Sequence, residues 1–210
     1  MSIDQKYYLG IGLGLTFLLM FLIAILVIYI FVKRNILRKS KKNNESIKKL
    51  EEFLLNYSKE NNVYFIKKNH FKSLGMPSCD IGPFLITDKG LIIFYPNFLN
   101  GKIEGNCLER EWYCTYENRK KIFPNKMFFI DKTINKLSTK LPKDIPIIAV
   151  FLFMNNDVEV DIYNTPSYVL ITKEENILSS LDEINNSLTS SLTTDKVNMV
   201  ATKITNLIKK

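Results

Sequence analysis

Residues 9–32, LGIGLGLTFLLMFLIAILVIYIFV, carry no charged side chain. As a helix this run spans roughly 36 Å, enough to cross the ~30 Å hydrocarbon layer with some tilt. Tyr7 and Tyr8 at one end and Tyr29 near the other fit the interfacial preference of aromatic rings. Lys33, Arg34, Arg38, Lys39, Lys41 and Lys42 follow, whereas the N-terminal flank offers only Lys6 opposed by Asp4. That asymmetry predicts a short extracytoplasmic tail (1–8), a single transmembrane helix (9–32), a basic juxtamembrane linker (33–43) and a cytoplasmic C-terminal domain. The competing reading is a cleaved signal peptide. The run is too long for one, its n-region is weakly basic, and no small-x-small site precedes the basic cluster. The lipid bilayer is thus the first expected partner, and the basic cluster suits anionic headgroups. Gly10 and Gly14, four apart, give a small-residue face through which two such helices can pack and the chain self-associate.

The net charge of +8 invites a nucleic-acid reading, but its distribution does not support one. Residues 1–42 hold seven Lys/Arg against one Asp, leaving 22 basic and 20 acidic residues for the remainder. The soluble part is nearly balanced, so basicity is chiefly a membrane signal. The three cysteines, Cys79, Cys107 and Cys114, and the lone His70 form no CxxC or zinc-type spacing. They read as reduced, half-buried cysteines and a surface histidine. No phosphate-binding glycine loop follows a strand, since the glycines at 10–14 belong to the apolar run. The abundance of Asn, Lys and Ile fits an AT-rich bacterial coding sequence.

Beyond a polar linker at 39–46, Ile47, Leu50, Leu54 and Tyr57 predict a helix over 44–58. Strands are predicted at 63–71, 82–87 and 91–95, the last two joined by the hairpin signal Asp88-Lys89-Gly90. Residues 73–78, with Gly75 and Pro77, read as a loop. Asn100-Gly101 turns into a strand near 102–104, then come 111–116 and a basic loop over 119–125. A helix over 126–141 is stopped by Pro142. Residues 146–153, PIIAVFLF, suit a central strand buried on both faces. Strands at 158–162 and 167–171 follow. A capping box at Thr172-x-x-Glu175 opens a helix to about 188, and a last helix covers 195–210. The order predicts an α/β domain with a mixed central sheet flanked by helices.

Several segments in this order are similar to the nuclease-related domain (NERD) family of the restriction-endonuclease-like superfamily. They are Thr87-Asp88-Lys89-Gly90-Leu91-Ile92-Ile93, the segment Asn100–Gly105, Trp112, Asn118–Lys121, Phe123-Pro124-Asn125 and the strand 146–153. The resemblance runs from about Asn44 to Ile171. It implies a restriction-endonuclease-like fold over 44–172, followed by C-terminal helices at 173–210, and a membrane anchor is frequent in the family.

The family's chemistry uses an Asp, a Glu-x-Lys and a divalent cation. Aligned on Gly90, the Asp position falls on Gly82, the Glu on Tyr95 and the Lys on Asn97, while a family glutamine falls near Phe129. Of the family's site, Glu45 alone remains in place. A magnesium site needs several hard oxygen ligands, which glycine, tyrosine and phenylalanine do not supply. No metal or other cofactor is therefore expected. The alternative is a divergent Mg²⁺ nuclease in which Asp80, two residues before Gly82, works with Glu45 or Glu104. A third reading is nucleic-acid binding without cleavage through Arg119, Lys120, Lys121 and Lys126 beside Trp112, Tyr113 and Tyr116. The plainer reading of that cluster is a solvated loop over core aromatics. The sequence as a whole points to a membrane-tethered, non-catalytic binding or scaffold module, with a protein partner as one further expectation.

Overall fold

The computed structural model describes residues 3–71, 79–189 and 191–209, with side chains over 16, 18–70, 80–189 and 191–208. The chain divides into two compact units, 1–46 and 47–210.

The first unit is helical. It belongs to α1 (Ile3–Glu60), in which Leu18–Val32 stand exposed. Among the described residues this is the one helix long and apolar enough to cross a membrane. The expected linker at 39–46 is instead helical throughout. KSKKNNES holds neither glycine nor proline, so no residue in it stops a helix once one has begun. Gly10 and Gly14 lie on α1, but their surroundings fall outside the described side chains.

The second unit is built on a five-stranded mixed sheet. It is formed by β1 (Tyr64–Ile66), β4 (Phe84–Ile86), β5 (Leu91–Asn97), β9 (Ile147–Phe153) and β11 (Val169–Lys173), in the order β1-β4-β5-β9-β11. The first two pairings are antiparallel and the last two parallel. The β4–β5 hairpin turns where Asp88-Lys89-Gly90 predicts it, with the Thr87 hydroxyl accepting from the backbone N–H of Lys89 and Gly90. A four-stranded sheet, β10-β6-β7-β8, contains β6 (Lys102–Asn106), β7 (Glu111–Tyr116), β8 (Arg119–Pro124) and β10 (Glu159–Tyr163). A short pair joins β2 (Asn69–Phe71) to β3 (Cys79–Ile81). The predicted strand 63–71 is thus two strands with different partners, β4 for β1 and β3 for β2. The loop predicted at 73–78 lies outside the described residues.

Period-two alternation sorts the central sheet's side chains into separate cores. Phe84, Ile86, Leu91 and Ile93 pack with Leu137 of α2 (Met127–Ser138) and with Val197, Val200 and Ile204 of α4 (Thr194–Lys209). Leu85, Ile92, Val150 and Leu152 face the other way. They meet Leu50 and Leu54 of α1 and Leu181 and Ile184 of α3 (Ile177–Ser187). Phe151 and Phe153 join Ile103, Trp112 and Val158, tying the second sheet to the first. Trp112 is fully buried, and its indole N–H donates to the Asn106 carbonyl at 3.0 Å. A Cβ on Gly105 would lie 2.2 Å from that indole, so only glycine lets β6 pass so close.

Two further expectations are corrected. The basic stretch 119–125 is not a loop: β8 pairs with β7 from Tyr116↔Arg119 to Glu111↔Pro124. The two residues between them, Glu117 and Asn118, both have positive φ (48° and 61°), as a tight type I′ hairpin requires. The capping box also fails. Thr172 is part of β11, its hydroxyl accepts from the Ser180 hydroxyl at 2.8 Å, and α3 starts only at Ile177 after a 3₁₀ turn.

Candidate functional site

At the C-terminal end of β5 the chain leaves a cavity of about 350 Å³. One wall comes from β5 and the residue beyond it: Phe94, Tyr95, Pro96 and Phe98. The opposite wall comes from the start of α2, with Lys126, Phe129 and Ile130, and Phe151 of β9 and Ile47 of α1 also line the cavity. Lys68, Asp80 and Gly82 complete it. Tyr95 and Phe129 meet edge to face, with ring centroids 6.2 Å apart and planes at 85°. Among the described residues the cavity is therefore largely aromatic, with its polar side-chain groups confined to Lys68, Asp80, Lys126 and the tyrosine hydroxyl.

The acid in this site is already engaged. Asp80 faces His70 across the β2–β3 pair. One carboxylate oxygen lies 3.1 Å from His70 Nδ1 and the other 3.1 Å from Lys68 Nζ. The His70 hydrogen bond, followed by that of Lys68, holds the Asp80 carboxyl below its ordinary pKa. Lys68 is fixed in turn through its backbone N–H, which donates to the Glu51 carboxylate at 2.9 Å.

Lys126 is the counterpart. It stands exposed, immediately before α2, and no ion pair holds it among the described residues. Protein packed around its ammonium end disfavours the charged form and pushes its pKa below the usual lysine value. Because the residue as a whole is open to water, that desolvation is partial.

Gly82 has φ +94°, and a Cβ there would sit 2.5 Å from the Phe84 ring. The position on which an acid was sought thus excludes any side chain unless Phe84 moves. Asn97 stands apart from the cavity wall. It is buried, its Oδ1 accepts from the Leu99 N–H at 3.0 Å, and its Nδ2 finds no partner among the described residues. It closes the turn after β5, a local role open to Asn without reference to a phosphate. Glu45 lies exposed on α1 within the N-terminal unit. Glu104 is paired with Lys102 at 2.8 Å. Among the described residues no group of three or more His, Cys, Asp or Glu could hold a metal ion.

The proposed basic cluster separates in space into two features. Arg119, Lys120 and Lys121 are exposed on β8 at the edge of the four-stranded sheet, while Lys126 lines the cavity. Lys120 Nζ sits 4.1 Å from the centre of the Tyr113 ring, a cation–π contact. Trp112 is core and Tyr116 is exposed, so the aromatics of this region divide between interior and surface.

Sequence reasoning found Asp80, Gly82, Tyr95, Lys126 and Phe129, which the fold brings together. It missed Lys68, Phe94, Phe98 and Phe151. Lys68 gave only the signal of a lysine in a short strand region, and the three phenylalanines read as ordinary core. A larger hollow of about 510 Å³ runs along β11, at the edge of its sheet, with Val160 and Ile162 on its far side. Its single charged side chain, Lys173, donates to the Asn156 carbonyl. No family model matches the chain, and no curated protein or solved structure matches it.

Proposed function

We propose that this chain is a membrane-anchored, non-catalytic module of nuclease-related architecture whose soluble unit binds a ligand or partner on the cytoplasmic side. The observation that carries the reading is the composition of the cavity beside β5. Gly82, Tyr95 and Phe129 line it at positions where the resemblance implies acidic and polar site residues, and its one carboxylate among the described residues, Asp80, is shared between Lys68 and His70. The apolar, exposed helix at Leu18–Val32 with basic residues from Lys33 onward supports the anchor and its orientation.

The full chain, reconstituted in lipid and incubated with DNA or RNA in Mg²⁺ or Mn²⁺, is expected to cut neither. Cleavage that disappears on Asp80→Ala would establish the divergent nuclease instead. A reporter fused after Lys210 is expected to be active in the cytoplasm; periplasmic activity reverses the orientation.

A second reading draws on Lys120 lying over Tyr113 beside exposed Arg119, Lys121 and Tyr116. Cations interleaved with accessible rings suit a single-stranded nucleic acid. This reading expects a mobility shift that falls steeply with salt and weakens in Arg119→Ala/Lys121→Ala. Absence of any shift at low salt removes it.

A further inference from the structure

We infer that the cavity beside β5 binds a small amphipathic anion, its apolar body against Tyr95, Phe98 and Phe129 and its single carboxylate-type head on Lys126. The inference rests on the reading of this unit as a binding module and names the chemistry of its ligand.

Size comes first. About 350 Å³ lies at the lower end of the ~300–1,000 Å³ in which proteins enclose small molecules. A mostly apolar lining with a few polar groups at one side is the usual form of such sites. The lining here is dominated by phenylalanine, so burial of an apolar body drives entry and the polar groups set its orientation.

Charge decides the head group. Aromatic walls also accept cations against their ring faces. Here two lysines, Lys68 and Lys126, line the same cavity, and its only acid already has both oxygens engaged by Lys68 and His70. A cationic ligand would face Lys126 with no free carboxylate to offset it. An anion finds the reverse. Lys126 has no ion pair among the described residues, and the fold partly desolvates its ammonium without supplying a counter-charge. A carboxylate placed there forms a charge-assisted hydrogen bond that the free protein lacks.

The test uses the full chain in zwitterionic phosphatidylcholine nanodiscs, titrated by calorimetry with 2-naphthoate and with its neutral counterpart 2-naphthalenemethanol. Saturable 1:1 binding of naphthoate, tighter than the alcohol by about tenfold or more, is expected from one charge-assisted contact. Lys126→Met should remove that advantage while leaving the alcohol's affinity unchanged, and Lys126→Arg should restore most of it. Phe129→Ala should weaken both probes alike. Octanoate in place of naphthoate separates the two sources of this chemistry, since a preference for octanoate identifies a fatty acyl body and a preference for naphthoate an aromatic one. The inference fails if neither acid binds saturably, if the alcohol binds as tightly as naphthoate, or if Lys126→Met, folded by circular dichroism, leaves the preference intact. The nuclease assay separates this failure from that of the wider reading. Naphthoate binding together with Asp80-dependent cleavage would keep the ligand and discard the non-catalytic role. Absence of both would do the opposite.

Discussion

At Gly82 the backbone sits in the left-handed region and the Phe84 ring occupies the place of a Cβ. Placing an acid there, Gly82→Asp, is expected to cost about 1–3 kcal/mol in backbone strain, with the clash added. Thermal unfolding with and without Mg²⁺ checks this: the midpoint should fall and Mg²⁺ should not recover it. Asp80 makes a pH prediction. Its carboxyl is held below the ordinary value by His70 and Lys68, so its pairing stabilises the fold above the ordinary carboxylate pKa. That contribution disappears as pH falls through the lowered one. With the side chain 53% exposed, the effect is about 1 kcal/mol or less. Asp80→Asn should therefore lower the unfolding midpoint slightly near neutrality and converge with the parent chain once pH has fallen below the lowered pKa. Cys107 and Cys114 are buried, and burial pushes both thiols above their ordinary pKa. Mass spectrometry after iodoacetamide at pH 8 should find them unmodified in the folded chain and labelled once urea unfolds it.

Among the elements, β8 most changed its meaning. A basic segment without apolar alternation reads as a loop, yet pairing along all of β7 makes it an edge strand, started by a two-residue turn at Glu117-Asn118. Lysines on such an edge also discourage pairing with a further strand. The last helix is amphipathic in sequence, a pattern that favours packing on the chain's own domain. The structure buries Val200 and Ile204 completely against the central sheet. Ile204→Ala should therefore cost about 2–5 kcal/mol, which a helix held out for a partner would not show. The failed capping box at Thr172 has the same cause: β11 pairs with β9 through Lys173, and sheet hydrogen bonds outweigh a local helix-start signal.

For the molecule as a whole, α1 carries the apolar run, and its last turns supply Leu50, Leu54 and Tyr57 to the core of the second unit. Its exposed residues from Leu18 to Val32 suit lipid, and those from Leu50 onward are buried by protein. Ser40→Gly and Asn43→Gly should each cost α1 about 1 kcal/mol of helix stability. Far-ultraviolet circular dichroism should then report less helix while the thermal midpoint of the second unit stays put.

What the sequence determined by itself is whatever one-dimensional pattern encodes. Twenty-four uncharged residues followed by a basic cluster specify a membrane-type segment, because length and charge are what a bilayer reads. Apolar runs bounded by turn signals specified β4, β5 and β9. The tertiary structure alone decided which side chains meet. Lys68, Asp80, Tyr95, Lys126 and Phe151 lie far apart along the chain and share one cavity only through sheet register and the docking of α2. Asn97, two residues from Tyr95, stays outside that cavity because it closes the turn after β5. Local propensity does not carry such placement, since it depends on packing among many residues at once.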